Sequence, residues 1–172
     1  MLTTQVATKV VREAAVPLPD PLNEQRGAGR GSIVCVPGGV PEDLEAAIRA
    51  AWALDTCDPV DADDWSAANP ARGQCGSTAL TIHDLLGGEV LIAEVIRSDG
   101  SRQGVHYWNL LPDGAEIDLT REQFSGSEVI QQPRILRRPA GLPKRCAERY
   151  LRMRHRVLNA LSVPKNNGTI SL

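Results

Sequence analysis

Aromatic side chains are scarce: one Phe, two Tyr and three Trp make up 3% of this 172-residue chain. With so little ring area, Phe124, Tyr107, Tyr150, Trp52, Trp65 and Trp108 are each expected to fill a large share of the packing. No apolar run reaches bilayer-spanning length, and the N-terminus lacks the basic stretch, apolar core and small-residue cleavage site of a signal peptide. A membrane role is therefore not expected; a cytoplasmic protein with reduced thiols is. The four cysteines (Cys35, Cys57, Cys75, Cys146) show no C-x-x-C spacing, and there are only three histidines, so no metal site is expected. There is no internal repeat and no glycine-rich phosphate loop, and no cofactor is expected.

Acids and bases nearly balance, at a net charge of −2, but not along the chain. Residues 133–156 carry nine Lys or Arg against Glu148 alone, about +8, which leaves about −10 elsewhere. Two readings follow. A basic helix docks on acidic parts of the same domain, such as residues 42–64, or it offers a surface to an acidic partner. Without interleaved aromatics or a known motif, a nucleic-acid role is not expected.

At this length one domain with a proper core is expected. Residues 1–32 look like an accessory extension, broken by Pro17, Pro19 and Pro21 and ending in the flexible Arg26–Ser32 link. The single domain then runs over 33–172, opening on an apolar run at 33–36 in which Cys35 is a small buried hydrophobe. Pro41 at a first helical position, with Glu42, Asp43 and Glu45 behind it, starts a helix over 41–55 whose apolar residues recur every three or four. A second helix starts at Cys75 and stops at Gly87-Gly88. Strands are expected over 89–97, 103–111 and 115–119, with one more through Val129 and Ile130. A long helix over 143–161 closes the fold, its stripe formed by Cys146, Tyr150, Met153, Val157, Leu158 and Leu161. Thr120 caps a short turn with Gln123 as its capping-box partner and Phe124 packed beneath.

The turn Leu111-Pro112-Asp113-Gly114-Ala115 fixes a register. Pro suits the second turn position, Asp the third, and Gly the left-handed residue of a bulge, which sets Leu111 opposite Ala115. Trp108 then faces Asp118, and His106 is the diagonal neighbour of Asp118 on the same face. A register one residue off would put the two on opposite faces.

Cys75 at a helix N-terminus meets unsatisfied N–H groups and the positive end of a dipole, which favours a thiolate well below the free thiol pKa of about 8.5. His106 is the candidate base and Asp118 its orienting carboxylate. The N–H groups at Gly76 and the side-chain amides of Gln74 or Asn69 are candidate oxyanion donors. Trp108 and Asn109 complete the candidate substrate-binding set. Cys57 lies among acids that disfavour a thiolate, and His83 and His155 are read as structural or solvated.

The blocks Asn69-Pro70-Ala71-Arg72-Gly73-Gln74-Cys75, Asp84-Leu85-Leu86-Gly87-Gly88-Glu89, His106-Tyr107-Trp108-Asn109 and Asp118-Leu119-Thr120-Arg121-Glu122-Gln123-Phe124 resemble the YunG-like family of small bacterial proteins, over roughly residues 41–160. The order Cys, His, Asp and the string Gly73-Gln74-Cys75-Gly76-Ser77 are similar to papain-like and transglutaminase-like cysteine enzymes. That resemblance implies an α+β papain-like fold: N-terminal helices on a small antiparallel sheet, a long C-terminal helix, nucleophile Cys75, base His106 and orienting Asp118. Asn69 falls where papain-type enzymes carry an oxyanion glutamine, which leaves that duty open between Asn69 and Gln74. Thr78 replaces their second cysteine, so their nearby disulfide cannot form.

The expected function is cysteine-dependent acyl transfer, by hydrolysis or aminolysis of an amide, ester or thioester through an acyl-thioester on Cys75. The expected substrate is acyl or peptide-like, with an acidic carrier protein as one possible donor. The rival is a non-catalytic module that keeps the triad while binding a peptide or partner.

Overall fold

The computed structural model describes residues 39–138 and 141–162. The accessory extension over 1–32, the apolar run at 33–36 and the tail beyond Ser162 lie outside the described residues. The described part is a mixed α+β fold with three helices, α1 (Glu42–Ala51), α2 (Cys75–Leu86) and α3 (Ala147–Ser162), and a small antiparallel sheet.

The first helix is shorter than its periodicity suggests. Pro41 takes the N-cap rather than the first helical position, with ψ at 137°. The helix stops at Ala51 because Thr56 supplies a competing set of bonds: its hydroxyl accepts from Ala53 N at 2.9 Å and donates to backbone carbonyls there. Trp52 is turned into the core, where its indole N–H donates to Thr78 Oγ1 at 3.0 Å. The acidic loop that follows is ordered as a short 3₁₀ stretch, Pro59–Asp64, with Asp58 capping it through Val60 N.

Leu44, Ile48, Ile82, Leu86, Met153 and Val157 pack the three helices on one another, with Leu111, just past the last strand residue Leu110, among them. The acids of 55–64 meet the basic helix directly. Arg149 pairs with Asp58 at 2.8 Å, Arg156 with Asp55 at 2.7 Å, and Arg152 approaches Asp55 at 3.6 Å. Much of the charge asymmetry is thus resolved inside the chain.

The sheet holds β1 (Glu89–Ile96), β2 (Arg102–Leu110), β3 (Glu116–Ile117), β4 (Val129–Ile130) and β5 (Arg134–Leu136) in the order β3-β2-β1-β4, with β5 also on β1. The sequence pattern does not announce β5, three residues inside a basic stretch. The β2–β3 turn takes the expected register: Asn109 faces Ile117 and Leu110 faces Glu116. Leu111 N donates to Ala115 O at 2.8 Å and closes it. Gly88 has φ +81°, and a Cβ there would lie 2.2 Å from Leu110 O, so the exit from α2 into β1 requires glycine.

Among the described residues, no helix is long and apolar enough to cross a membrane.

Candidate active site

Two features aim α2 at the sheet. Gly73 has φ +68°, and a Cβ there would meet Cys57 Sγ at 2.5 Å, so only glycine allows the chain this turn immediately before the helix. Asn109 then anchors the helix to β2, its Nδ2 donating to Ala79 O at 3.0 Å. Side chains alternate along β2. Tyr107 and Asn109 turn toward α2, where the Tyr107 ring approaches Gly76, while His106 and Trp108 turn to the other face.

The hairpin explains where the sulfur goes. Leu111 directs its N–H toward β3, and by the two-residue repeat so do Asn109 and Tyr107. But β3 ends at Ile117, one rung short of Tyr107. Cys75 lies by that place: the backbone N–H groups of Tyr107 and of Gly76 are near enough to favour its thiolate.

His106 is fully buried and sits in a closed set of hydrogen bonds. Its Nε2 meets Asp118 Oδ2 at 2.7 Å. The other Asp118 oxygen accepts from Thr120 N at 3.1 Å and Thr120 Oγ1 at 3.3 Å. On the far side, Gln123 Nε2 lies 3.1 Å from His106 Nδ1 and 3.0 Å from Thr120 O. The loop therefore returns to Thr120. Trp108 stacks on the imidazole with centroids 5.3 Å apart, and Phe124 meets it edge-on at 5.0 Å.

Protons in this loop have only one consistent arrangement. Thr120 O can only accept, so the Gln123 amide must present its NH₂ group to it, and the same NH₂ then faces Nδ1. Nδ1 must be a bare acceptor. The imidazole proton is on Nε2 and is donated to Asp118. This is the tautomer a general base needs, with its lone pair on Nδ1.

The structure thus brings His106 and Asp118 into contact and seats Cys75 beside the next residue on the strand. Both ring nitrogens are engaged, neither by the thiol. The expected low thiol pKa is overturned. Burial pushes the Cys75 thiol up to about 12, helped by the charges of Asp61 and Asp118, and the N–H groups of Tyr107 and Gly76 offset only part of this. Desolvation outweighs the helix terminus. Cys57 is likewise pushed up, to about 11, by burial and then by Asp61 and Asp58.

The other expected site residues are engaged in holding the fold. Gln74 is fully buried and donates to Ala53 O at 2.9 Å. Asn69 donates to Gln123 O at 3.2 Å. Trp108 Nε1 donates to Glu116 Oε1 at 2.6 Å. Gly76 keeps its N–H at the sulfur. The residue that sequence reasoning misplaces is Gln123. It makes no capping box, and Thr120 gives the turn no side-chain cap bond. An open groove of about 500 Å³ runs past Asn69, Gln123 and Phe124. Among the described residues, no group of three or more His, Cys, Asp or Glu side chains could hold a metal ion.

Fold and site together define a small α+β protein in which a helix-borne cysteine and a histidine–aspartate pair border one sheet edge. A family model described as YunG protein matches residues 40–162, and the chain belongs to that family. No curated protein and no solved structure matches it.

Proposed function

We propose that the protein is a cysteine-dependent acyl-transfer enzyme with a papain-like arrangement of Cys75, His106 and Asp118. The observation that carries this reading is the buried 2.7 Å bond from His106 to Asp118, one residue along the strand from Tyr107, whose N–H favours the Cys75 thiolate. Burial pushes the thiol up, so the reading starts from the neutral thiol and not from a preformed ion pair.

In this reading His106 Nδ1, once released from Gln123 and brought to the sulfur, takes the thiol proton as the sulfur attacks the carbonyl carbon of an amide, ester or thioester. Asp118 stabilises the imidazolium so formed. Collapse of the tetrahedral adduct expels the leaving group, which takes the proton back from Nδ1, and an acyl-thioester remains on Cys75. Water or an amine then resolves it. In this reading the Tyr107 and Gly76 N–H groups, which favour negative charge at the sulfur, would serve as donors for the developing oxyanion.

The substrate in this reading is a small acyl or peptide-like molecule. The case for an acidic carrier weakens, because Arg149, Arg152 and Arg156 are paired with the chain's own Asp55 and Asp58. The reading requires a reduced thiol and so a reducing compartment such as the cytoplasm.

The test is intact-mass labelling with a panel of activated acyl donors. An adduct on the native protein that vanishes in Cys75→Ala supports acyl transfer. No adduct from any ester, thioester or activated amide, on folded protein, rejects it. The binding-module reading is favoured by one specific observation, the engagement of His106 Nδ1 by Gln123 rather than by the thiol.

A further inference from the structure

Gln123 does more than close a turn. Its NH₂ group bonds to both Thr120 O and His106 Nδ1, so it occupies the lone pair that the reaction proposed above requires. It also opposes protonation there. An Nδ1–H would face the amide N–H₂, donor against donor, and turning the amide over would set its oxygen against Thr120 O.

Asn69 borders the same turn, its Nδ2 donating to the Gln123 backbone carbonyl at 3.2 Å. Gln123 and Asn69 both line the groove of about 500 Å³.

We propose that Gln123 is a latch on the base. Seated on Thr120 and His106, it keeps Nδ1 occupied; turned away toward the groove, it frees Nδ1 to take the Cys75 proton. Gln123 is thus a positioning residue that acts through His106, and the inference rests on the acyl-transfer reading for its purpose.

The first test needs no variant. Nitrogen-15 NMR of the native imidazole should show His106 with Nε2 protonated and Nδ1 bare, and a proton on Nδ1 at neutral pH would overturn the proposal. In the second, Gln123→Met keeps the volume and removes the amide. Iodoacetamide should then alkylate Cys75 about tenfold faster at pH 8, as for a thiol whose pKa has fallen by about one. Adding His106→Ala should cancel the gain. Folded Gln123→Met with an unchanged or slower rate overturns the latch.

Acyl-donor labelling separates the two ideas. If Gln123→Met accelerates alkylation through His106 while no donor acylates either protein, the latch stands and acyl transfer falls. If donors label the native protein and Gln123→Met changes neither labelling nor alkylation, acyl transfer stands and the latch falls.

Discussion

Asp84 and Asp118 are both acids that gather hydrogen-bond donors in the interior, with side chains 9% and 19% exposed. Their partners differ in kind. Asp84 receives both terminal nitrogens of Arg138 and the Tyr150 hydroxyl, with Arg154 at 3.8 Å. Guanidinium groups keep their charge at any physiological pH, so nothing there can change state. Asp118 receives an imidazole and Thr120. Its neighbour is an imidazole that donates Nε2–H to it and keeps a second ring nitrogen for Gln123. The first cluster ties α3 and the segment after β5 to α2. The second is arranged around a proton that can move.

The contrast is tested hardest by removing each acid in turn. Asp84→Ala would leave Arg138 and Arg154 largely buried with no counter-charge, at a cost of about 3–5 kcal/mol. The urea midpoint should fall accordingly, while acyl labelling per folded molecule stays unchanged. Loss of labelling in protein that remains folded would show that the two clusters are not separate.

Asp118→Asn should cost less stability, about 1.5–3 kcal/mol for one charge-assisted bond. Its effect on acyl transfer should be larger, a loss on the order of 10²–10⁴. The new amide would present N–H₂ to Nε2, driving the proton to Nδ1 against Gln123. Labelling at the native rate in Asp118→Asn would remove the carboxylate from the mechanism.

The remaining test concerns alkali. Burial raises Cys75 to about 12 from an ordinary 9.0, and burial together with the Asp84 bond raises Tyr150 to about 12 from 10.0. Both groups hold their protons longer in the folded state. Their contribution is therefore complete below the unfolded values and is lost as pH rises through 9 to 12 for the thiol and 10 to 12 for the phenol. Urea midpoints measured from pH 8 to 11 should decline. Cys75→Ala should remove the part that begins near pH 9, and Tyr150→Phe the part that begins near 10. A flat profile in the native protein would contradict the burial of both groups.

What the sequence reveals and what it hides follow the reach of each interaction. The pairing of His106 with Asp118 follows from one turn, because Pro112-Asp113-Gly114 fixes the hairpin register and the register fixes the face. The start of α2 at Cys75 and its end at Gly87 are written in local residues as well. The thiol pKa is not, since the helix terminus is a local effect and the burial that opposes it comes from distant packing. Gln123 shows the same division. Thr120 and Gln123 have the spacing of a capping box, and nothing nearby tells that the amide turns instead to a histidine on another strand.

Ending β3 at Ile117 has a consequence for anyone redesigning this hairpin. A sheet normally gains from every additional rung, and extending the strand through Leu119 would look like an improvement. The added rung would take over the Tyr107 amide, remove the help that this N–H gives the Cys75 thiolate and pull Asp118 into regular pairing. Here a more complete sheet would be a better scaffold and an emptier one.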